Sequence, residues 1–367
     1  MDKNFLLEVQ ESTLNFTESL KQGNSFQFRP CKVGLTQNGE RLELGFSCYG
    51  LKIYYMAGKW DSLNHSMKTE WIDYINSFQF IDARFPSNSY IDKNLLSSYE
   101  NFEIKTNLKY LAKSFLNIIP GFNFDSKNEV LKKAINAETK QAISTLHEVG
   151  AVSKAKLENI YTDSNSVEKY LDSLDWSRPW SAGAQFSSLC VYETTQGFGI
   201  LNQLQSYISK LSNKGTGSYF TVQPKTSREI INGAMKVISG LDWINSEIHR
   251  PKELIDFCLN NKPVLEGCDF VDYIYVLYKC SKQTSYKKEK IIQLFSEISV
   301  ELKKLFNKND GGFSYFEGKS QTHYYGSEIT IGKNVSDIHG TLLCLWAVLM
   351  ILETMELKNL NTNILKP

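Results

Sequence analysis

Asn334–Leu352, NVSDIHGTLLCLWAVLMIL, runs Ser, Asp and His straight into a helix-length apolar segment with no charge before Glu353. The uncharged run Leu342–Leu352 falls short of the roughly 20 residues that cross a bilayer. A helix apolar on every side and too short to span a membrane belongs inside a large protein. The rest of the chain must bury it, and its polar doorstep must face something.

Five further segments share its layout, a short polar or Gly-containing entry followed by an apolar run. They are ERLELGFSCYGLKIYYMAG from Glu40, NAETKQAISTLHEVG from Asn136, RPWSAGAQFSSLCVYETT from Arg178, TSREIINGAMKVISGL from Thr226 and EGCDFVDYIYVLYKC from Glu266. Between them lie SVEKYLDSLDW, ILNQLQSYISKLSN, PKELIDFCLNN and KEKIIQLFSEISVELKKLF. These carry Lys and Glu on one face and Leu, Ile or Phe at i, i+3, i+4 on the other. Strand signals are confined to short pieces such as SYFTVQ. An all-α fold follows. Helix pairs recurring roughly every 40 to 50 residues stack as hairpins, which spiral as an open solenoid or close into a ring. In a ring the inner helices are covered on both sides, so they can be apolar all round, and their entries gather at one end.

Two intervals break the repeat. A long one separates the first apolar segment from the second and reads as an insertion at about 80–125. The other, residues 307–334, is a Gly-rich, polar and aromatic loop. Long loops held in compact domains are usually functional.

Composition narrows the function. The 367 residues are 42% hydrophobic and 22% charged, with a formal charge of +1 and the two signs interspersed. No basic stripe exists for nucleic acid and no polybasic patch for a membrane surface, so nucleic acid is excluded as the main partner. The seven cysteines are scattered and lack a C-x-x-C, which points to reduced thiols. The start, MDKNFLLEVQESTLNFTESLKQ, is amphipathic and lacks the basic-then-apolar order of a secretory signal, so a cytoplasmic protein without a transmembrane segment is expected. Aromatics make up 13%, enough to line an apolar cavity or stack on sugars.

The loop carries a resemblance. DGGFSYF (Asp310–Phe316), followed by SDIHGTLLCLWAVLMIL, resembles the repeat of the terpene cyclase and protein prenyltransferase superfamily, the α/α toroids. There a Gln and an Asp-Gly-Gly-aromatic turn link an outer to an inner helix. A degenerate copy, WIDYINSFQFIDARF, puts Gln79, Asp82 and Phe85 in the corresponding places. In physical terms Asp310 can cap backbone N–H groups, while Gly311 and Gly312 supply turn conformations closed to other residues. The resemblance implies one domain over residues 1–367, an (α/α)6 toroid with inner and outer rings of helices around a central cavity.

Three constellations then qualify as sites. Ser336-Asp337 resembles the Ser-Asp-Cys-Thr motif of the triterpene cyclases, whose Asp protonates the substrate, with Ile338 and His339 in place of the following residues. The same two residues are ordinary helix N-caps, and a helix N-terminus favours the ionised carboxylate. Glu266-x-Cys268 resembles the Asp-x-Cys zinc pair of the prenyltransferases, with His339 near the third ligand's place. His339 is one residue early, however, about 100° around the helix, so no cofactor is expected and zinc on Glu266, Cys268 and His339 stands as the alternative. Asp269 and Asp272 share one face of that helix and suggest a lined cavity, toward which His339 is expected to turn. In SQTHYYG, His323 with Tyr324 and Tyr325 could serve as an acid/base group with a phenol, in the manner of helical-toroid polysaccharide lyases. Arg178, Gln185, Arg228 and Asn232 are candidate charge neutralisers, and Trp180 a candidate binding surface.

The expected catalytic set is Asp337, His339, Asp269, Asp272 and His323, and the expected ligand a small, lipid-like or glycan molecule. The leading expectation is a terpene-cyclase-like or prenyltransferase-like enzyme for an isoprenoid or lipid-like substrate. A carbohydrate-active lyase or hydrolase and a non-catalytic ligand- or protein-binding toroid are the alternatives.

Overall fold

A computed structural model describes residues 3–23, 25–100, 112, 116, 124–160, 163–264, 266–357 and 362–367. The chain passes through α1 (Lys3–Glu18), α2 (Gln37–Arg41), α3 (Leu44–Met56) and α4 (His65–Asn76) into a hairpin of β1 (Gln79–Phe80) and β2 (Ser89–Tyr90). It continues through α5 (Lys93–Glu100), α6 (Lys127–Glu148), α7 (Ser164–Ser173), α8 (Pro179–Gln196) and α9 (Leu201–Lys210). Then come α10 (Ser227–Trp243), α11 (Pro251–Asn260), α12 (Gly267–Gln283) and α13 (Lys288–Leu305). The loop holds β3 (Phe306–Asn307), β4 (Gly312–Phe313), β5 (His323–Tyr324) and β6 (Ser327–Glu328), and α14 (Ile338–Thr354) follows. The fold is all-α in substance. Among the described residues strands pair only as three two-residue antiparallel hairpins, and SYFTVQ contributes a lone bridge from Tyr219 to Ser212.

The two helix classes segregate as their patterns dictate. The apolar runs become α3, α6, α8, α10, α12 and α14, and each packs on the next: α3 on α6, α6 on α8, α8 on α10, α10 on α12, α12 on α14. The last, α14, returns to α3. The amphipathic helices lie against them, α9 on α8, α11 and α13 on α12, and α13 also on α14, while α1 covers both α3 and α14. This explains the charge-free run: α14 has α3 and α12 beside it and α1 and α13 against it, and is buried almost throughout. No helix among the described residues is long and apolar enough to cross a membrane.

The tightest pair, α8 and α10, approaches through small residues. A Cβ on Gly233 would lie 2.6 Å from the Cβ of Pro179, and one on Gly183 would lie 3.2 Å from the carbonyl of Gly233. Deeper in the same interface the hydroxyls of Ser187 and Ser239 meet at 2.7 Å. Polar staples fix the loops between helices. The amide of Gln283 brackets the backbone of Ile248, accepting from its N–H at 2.9 Å and donating to its carbonyl at 3.0 Å. Gln79 does the same to Ala155 at 2.9 and 2.8 Å. Asp82, its companion in the degenerate motif, instead pairs with exposed Arg84.

One boundary differs from the sequence reading. The second apolar helix opens at Lys127, not near Asn136, because Ser126 and Glu129 form a reciprocal capping box, with Glu129 N–H donating to Ser126 Oγ at 3.2 Å and Ser126 N–H to Glu129 Oε2 at 2.7 Å. The expected insertion at 80–125 lies partly outside the described residues. Its described part caps α3, since Asp92 Oδ2 accepts the N–H groups of Glu43 and Leu44 at 2.7 and 3.1 Å. At the opposite helix ends the tail crosses over: Asn363 N–H donates to Met56, Lys366 N–H to Glu148, and the Trp243 indole to Pro367.

Gly233→Ala should therefore destabilise the protein. Overpacking at a close helix crossing costs about 1–3 kcal/mol, more than the roughly 1 kcal/mol that alanine gains over glycine within a helix. Gly215→Ala, where the added Cβ meets only Asn213 at 3.5 Å, should leave the urea midpoint unchanged. Equal midpoints for the two variants would refute the close-approach account.

Candidate functional site

The entry to α14 is built by two carboxylates. Asp310 accepts from the N–H of Gly312 at 3.3 Å and of Ser336 at 3.0 Å, and from the Ser336 hydroxyl, while Gly311 turns the chain at φ +81°. Asp337 is the N-cap of α14 and 1% exposed. Its Oδ1 accepts from Gly340 N–H at 2.7 Å, and its Oδ2 from Tyr315 N–H at 2.8 Å and Gln321 N–H at 3.0 Å. Burial pushes this carboxyl up to about 7, against the pull of those donors. All three neighbours donate, so they are satisfied by the ionised form. Asp337 caps the helix as its position suggests, but its second oxygen holds the loop and not the cavity mouth. The loop can lie this close because Gly340 has no Cβ, which would stand 2.5 Å from the nitrogen of Tyr315.

His339 does not reach the carboxylates of α12. Its ring stacks on Tyr49 at 4.6 Å and leans on Tyr315 at 5.1 Å, and its Nδ1 is buried without a partner. Burial, with Lys236 nearby, pushes it down to about 3. Asp269 is taken by α10, accepting from Arg228 Nε at 2.7 Å and Asn232 Nδ2 at 2.6 Å, so two of the expected neutralisers already have their anion. Asp272 is 3% exposed; its Oδ1 lies 4.0 Å from Lys236 Nζ and its Oδ2 has no partner. Cys268 accepts from the Tyr315 hydroxyl at 3.0 Å, and burial raises it to about 11, the opposite of what a zinc thiolate needs. Among the described residues no three His, Cys, Asp or Glu side chains converge as metal ligands, so Glu266, Cys268 and His339 are not assembled.

The SQTHYYG segment forms the β5–β6 hairpin, whose connection is Tyr325 and Gly326, both at positive φ (43° and 91°). Alternation sends neighbouring side chains opposite ways. His323 is exposed and meets only Thr322 Oγ1 at 3.0 Å. Tyr324 turns inward onto Phe46 and donates to Glu138 Oε1 at 3.1 Å. Gly45 leaves room for it, since a Cβ there would sit 2.0 Å from the phenol oxygen.

Tyr325 lines a cavity of about 340 Å³ with Arg178, Trp180 and Gln185, at the N-terminal ends of α6, α8 and α10. The backbone N–H of Trp180 donates to Glu229 Oε1 at 3.0 Å, and the Arg228 guanidinium lies 5.1 Å from its ring centre. Gln185 is oriented by Asn136 at 2.8 Å and Tyr170 at 3.2 Å. The structure thus brings together Arg178, Trp180, Gln185 and Tyr325, with Arg228 behind Trp180. It leaves Asp337, His339, His323 and the α12 carboxylates elsewhere. Tyr99, Lys133, Ala134 and Glu229 also line this cavity. The first three stand in the insertion and in the first turns of α6, whose signal was the Ser126-x-x-Glu129 capping box. Comparison of the chain with protein-family models, curated proteins and solved structures returns no match.

Two outcomes follow. Asp337→Asn puts an amide NH2 among N–H donors, so it should cost about 3 kcal/mol, against about 1 kcal/mol for the simple cap Asn64→Ala; equal losses in urea unfolding would reduce Asp337 to a cap. His339 concerns pH. Unfolded, it titrates near 6.5, while its folded value is near 3. The unfolded state binds the extra proton between these values, so stability is full above about 6.5 and is lost as pH falls toward 3. His339→Phe keeps the stack on Tyr49 and removes that loss. Its stability relative to wild type should therefore rise by about 1.4 kcal/mol per pH unit as the medium is acidified below 6; parallel stability curves would contradict the buried neutral ring.

Proposed function

We propose that the chain is an α/α toroid whose mouth binds a small lipid-like molecule of isoprenoid type that carries a polar end. The toroid reading is supported by the cyclic packing of the six apolar helices and by the amphipathic helices that cover them. The observation that carries the ligand reading is the cavity at the N-terminal ends of α6, α8 and α10. Its volume falls at the small end of ligand pockets, which run from about 300 to 1,000 Å³. Val130, Ala134, Ala137 and Ala184 give it an apolar lining, Trp180 and Tyr325 add rings, and Arg178 and the Lys133–Asp125 ion pair, 2.9 Å apart, make its polar side.

Binding, not acid catalysis by Asp337, is the function we assign. A general acid must present its proton to the substrate, and both oxygens of Asp337 are engaged by backbone N–H groups. The glycan-lyase alternative asks for a base beside the neutralising groups, and His323 lies on the exposed side of its hairpin.

Titration of tryptophan fluorescence with farnesol and with a linear hexasaccharide tests this reading. Saturable binding of farnesol is expected, weakened at least about tenfold, or about 1.4 kcal/mol, by Ala184→Phe, which fills the cavity. Binding of the saccharide alone, or farnesol binding indifferent to Ala184→Phe, would overturn it.

A further inference from the structure

Lys52 on α3, Lys140 on α6 and Lys236 on α10 each stand within the apolar run of their helix. Lys52 is 7% exposed and donates to Ser144 Oγ of α6 at 3.2 Å. Lys236 reaches α12, 4.0 Å from Asp272. Among the described residues Lys140 makes no ion pair or side-chain hydrogen bond, and it feels the charges of Lys236, Lys52 and Asp272. Helices α6 and α10 are not neighbours in the packing order, because α8 stands between them. Lys140 and Lys236 therefore act on each other's charge past α8, as they would across a space inside the cycle of apolar helices. His339 of α14 likewise senses Lys236 with α12 between their helices, and Tyr49 of α3 senses Cys268 of α12 with α14 between. Solvent reaches this interior, since the Lys236 side chain is 25% exposed.

The charges here do not balance. Lys52 is answered in part by Glu148, but Lys140 and Lys236 share one carboxylate, Asp272. Buried charge without a counter-ion is costly, and burial beside like charges pushes the Lys140 amine well down from its usual value. Asp272 is itself unfinished, because its buried Oδ2 accepts from nothing. Two amines in want of an anion thus face an acceptor in want of a donor.

We propose that this interior binds a small oxyanion that carries an O–H of its own, a hydrogen phosphate or a 2-hydroxy carboxylate, with Lys140 and Lys236 meeting the charge and Asp272 Oδ2 accepting the O–H. The unpaired oxygen of Asp272 makes the site selective. An oxyanion without a proton to give, such as sulfate, meets the carboxylate as a bare like charge, and discrimination by a buried unpaired polar group is large. The site does not depend on the mouth cavity or on its lipid-like ligand.

The test is thermal stabilisation of the full chain by inorganic phosphate against sulfate at matched ionic strength, with lactate against acetate as the carboxylate arm. Phosphate, lactate or both should raise the melting temperature, with an apparent affinity at least about tenfold above that of the partner lacking the O–H. The more effective arm identifies the oxyanion. Lys140→Met removes an unpaired amine at nearly constant volume, so it should fold and lose the response; Lys236→Met provides the same readout independently. Asp272→Asn, whose amide can donate, should erase the preference for phosphate over sulfate. Ala184→Phe should leave all of this unchanged, so failure of the mouth reading and failure of this one are separable. Equal effects of phosphate and sulfate and of lactate and acetate, or a response that survives both lysine variants, would overturn the proposal.

Discussion

A single buried carboxylate, Asp337, ties the closing helix to the loop that crosses its start, and much of the remaining arrangement follows from that tie. Helix α14 has to fit between α12 and α3 for the packing order to close on itself. Its own sequence gives no direction, because an apolar surface on all sides packs equally well in many rotations. Hydrogen bonds to Gly340, Tyr315 and Gln321 supply the missing direction, and Asp310 anchors Ser336 one residue earlier. With the loop so fixed, the β5–β6 hairpin is delivered over Phe46 and Tyr49, and Tyr325 arrives at the mouth beside Trp180. A charged acceptor suits this task better than a neutral one, since hydrogen bonds to ionised groups are roughly twice as strong as those between neutral partners.

The interior shows the opposite economy. Where Asp337 is fully satisfied, the pair Asp272 and Lys236 is not, for Asp272 Oδ2 accepts from nothing and Lys236 Nζ stands 4.0 Å from Oδ1. Replacing buried ionic groups by apolar ones is often neutral or stabilising. Their presence is therefore poorly explained by stability, and unsatisfied buried groups in native folds commonly mark a site of action. Among the rings, Tyr49, Tyr315 and Tyr324 are held by stacking or hydrogen bonds, while Tyr325 packs on Tyr324 and also lines the cavity.

Periodicity made the helices legible, and it did so best where one face is wet. The segments SVEKYLDSLDW, ILNQLQSYISKLSN, PKELIDFCLNN and KEKIIQLFSEISVELKKLF correspond to α7, α9, α11 and α13 almost residue for residue. The start of α6 escaped because attention to the apolar run at Asn136 hid a capping box ten residues upstream. Of the site, Arg178, Trp180 and Gln185 were legible because a helix entry in a repeat points to a shared end. The partners of Asp337 and His339 were not, for they lie on a loop whose path no local pattern encodes. Lys52, Lys140 and Lys236 carry no signal in the sequence, since lysine usually extends its amine to water along a helix surface.

Tyr325 brings the local and the global constraints together. A two-residue hairpin connection with positive φ at both central positions is one that Asn-Gly or Gly-Gly adopts at little cost. Here the first position is tyrosine at φ +43°, a conformation uncommon for a bulky side chain. Strain of this kind costs of order 1–3 kcal/mol and persists where the surroundings over-determine it. They do so here: the Tyr99 hydroxyl donates to the Tyr325 carbonyl, Ser98 meets Ser327, and the Tyr324 and Tyr325 rings pack at 4.5 Å. An asparagine would have made the turn with less strain but would have taken one of the rings from the cavity wall. The residue that the turn disfavours is the one that lines the cavity.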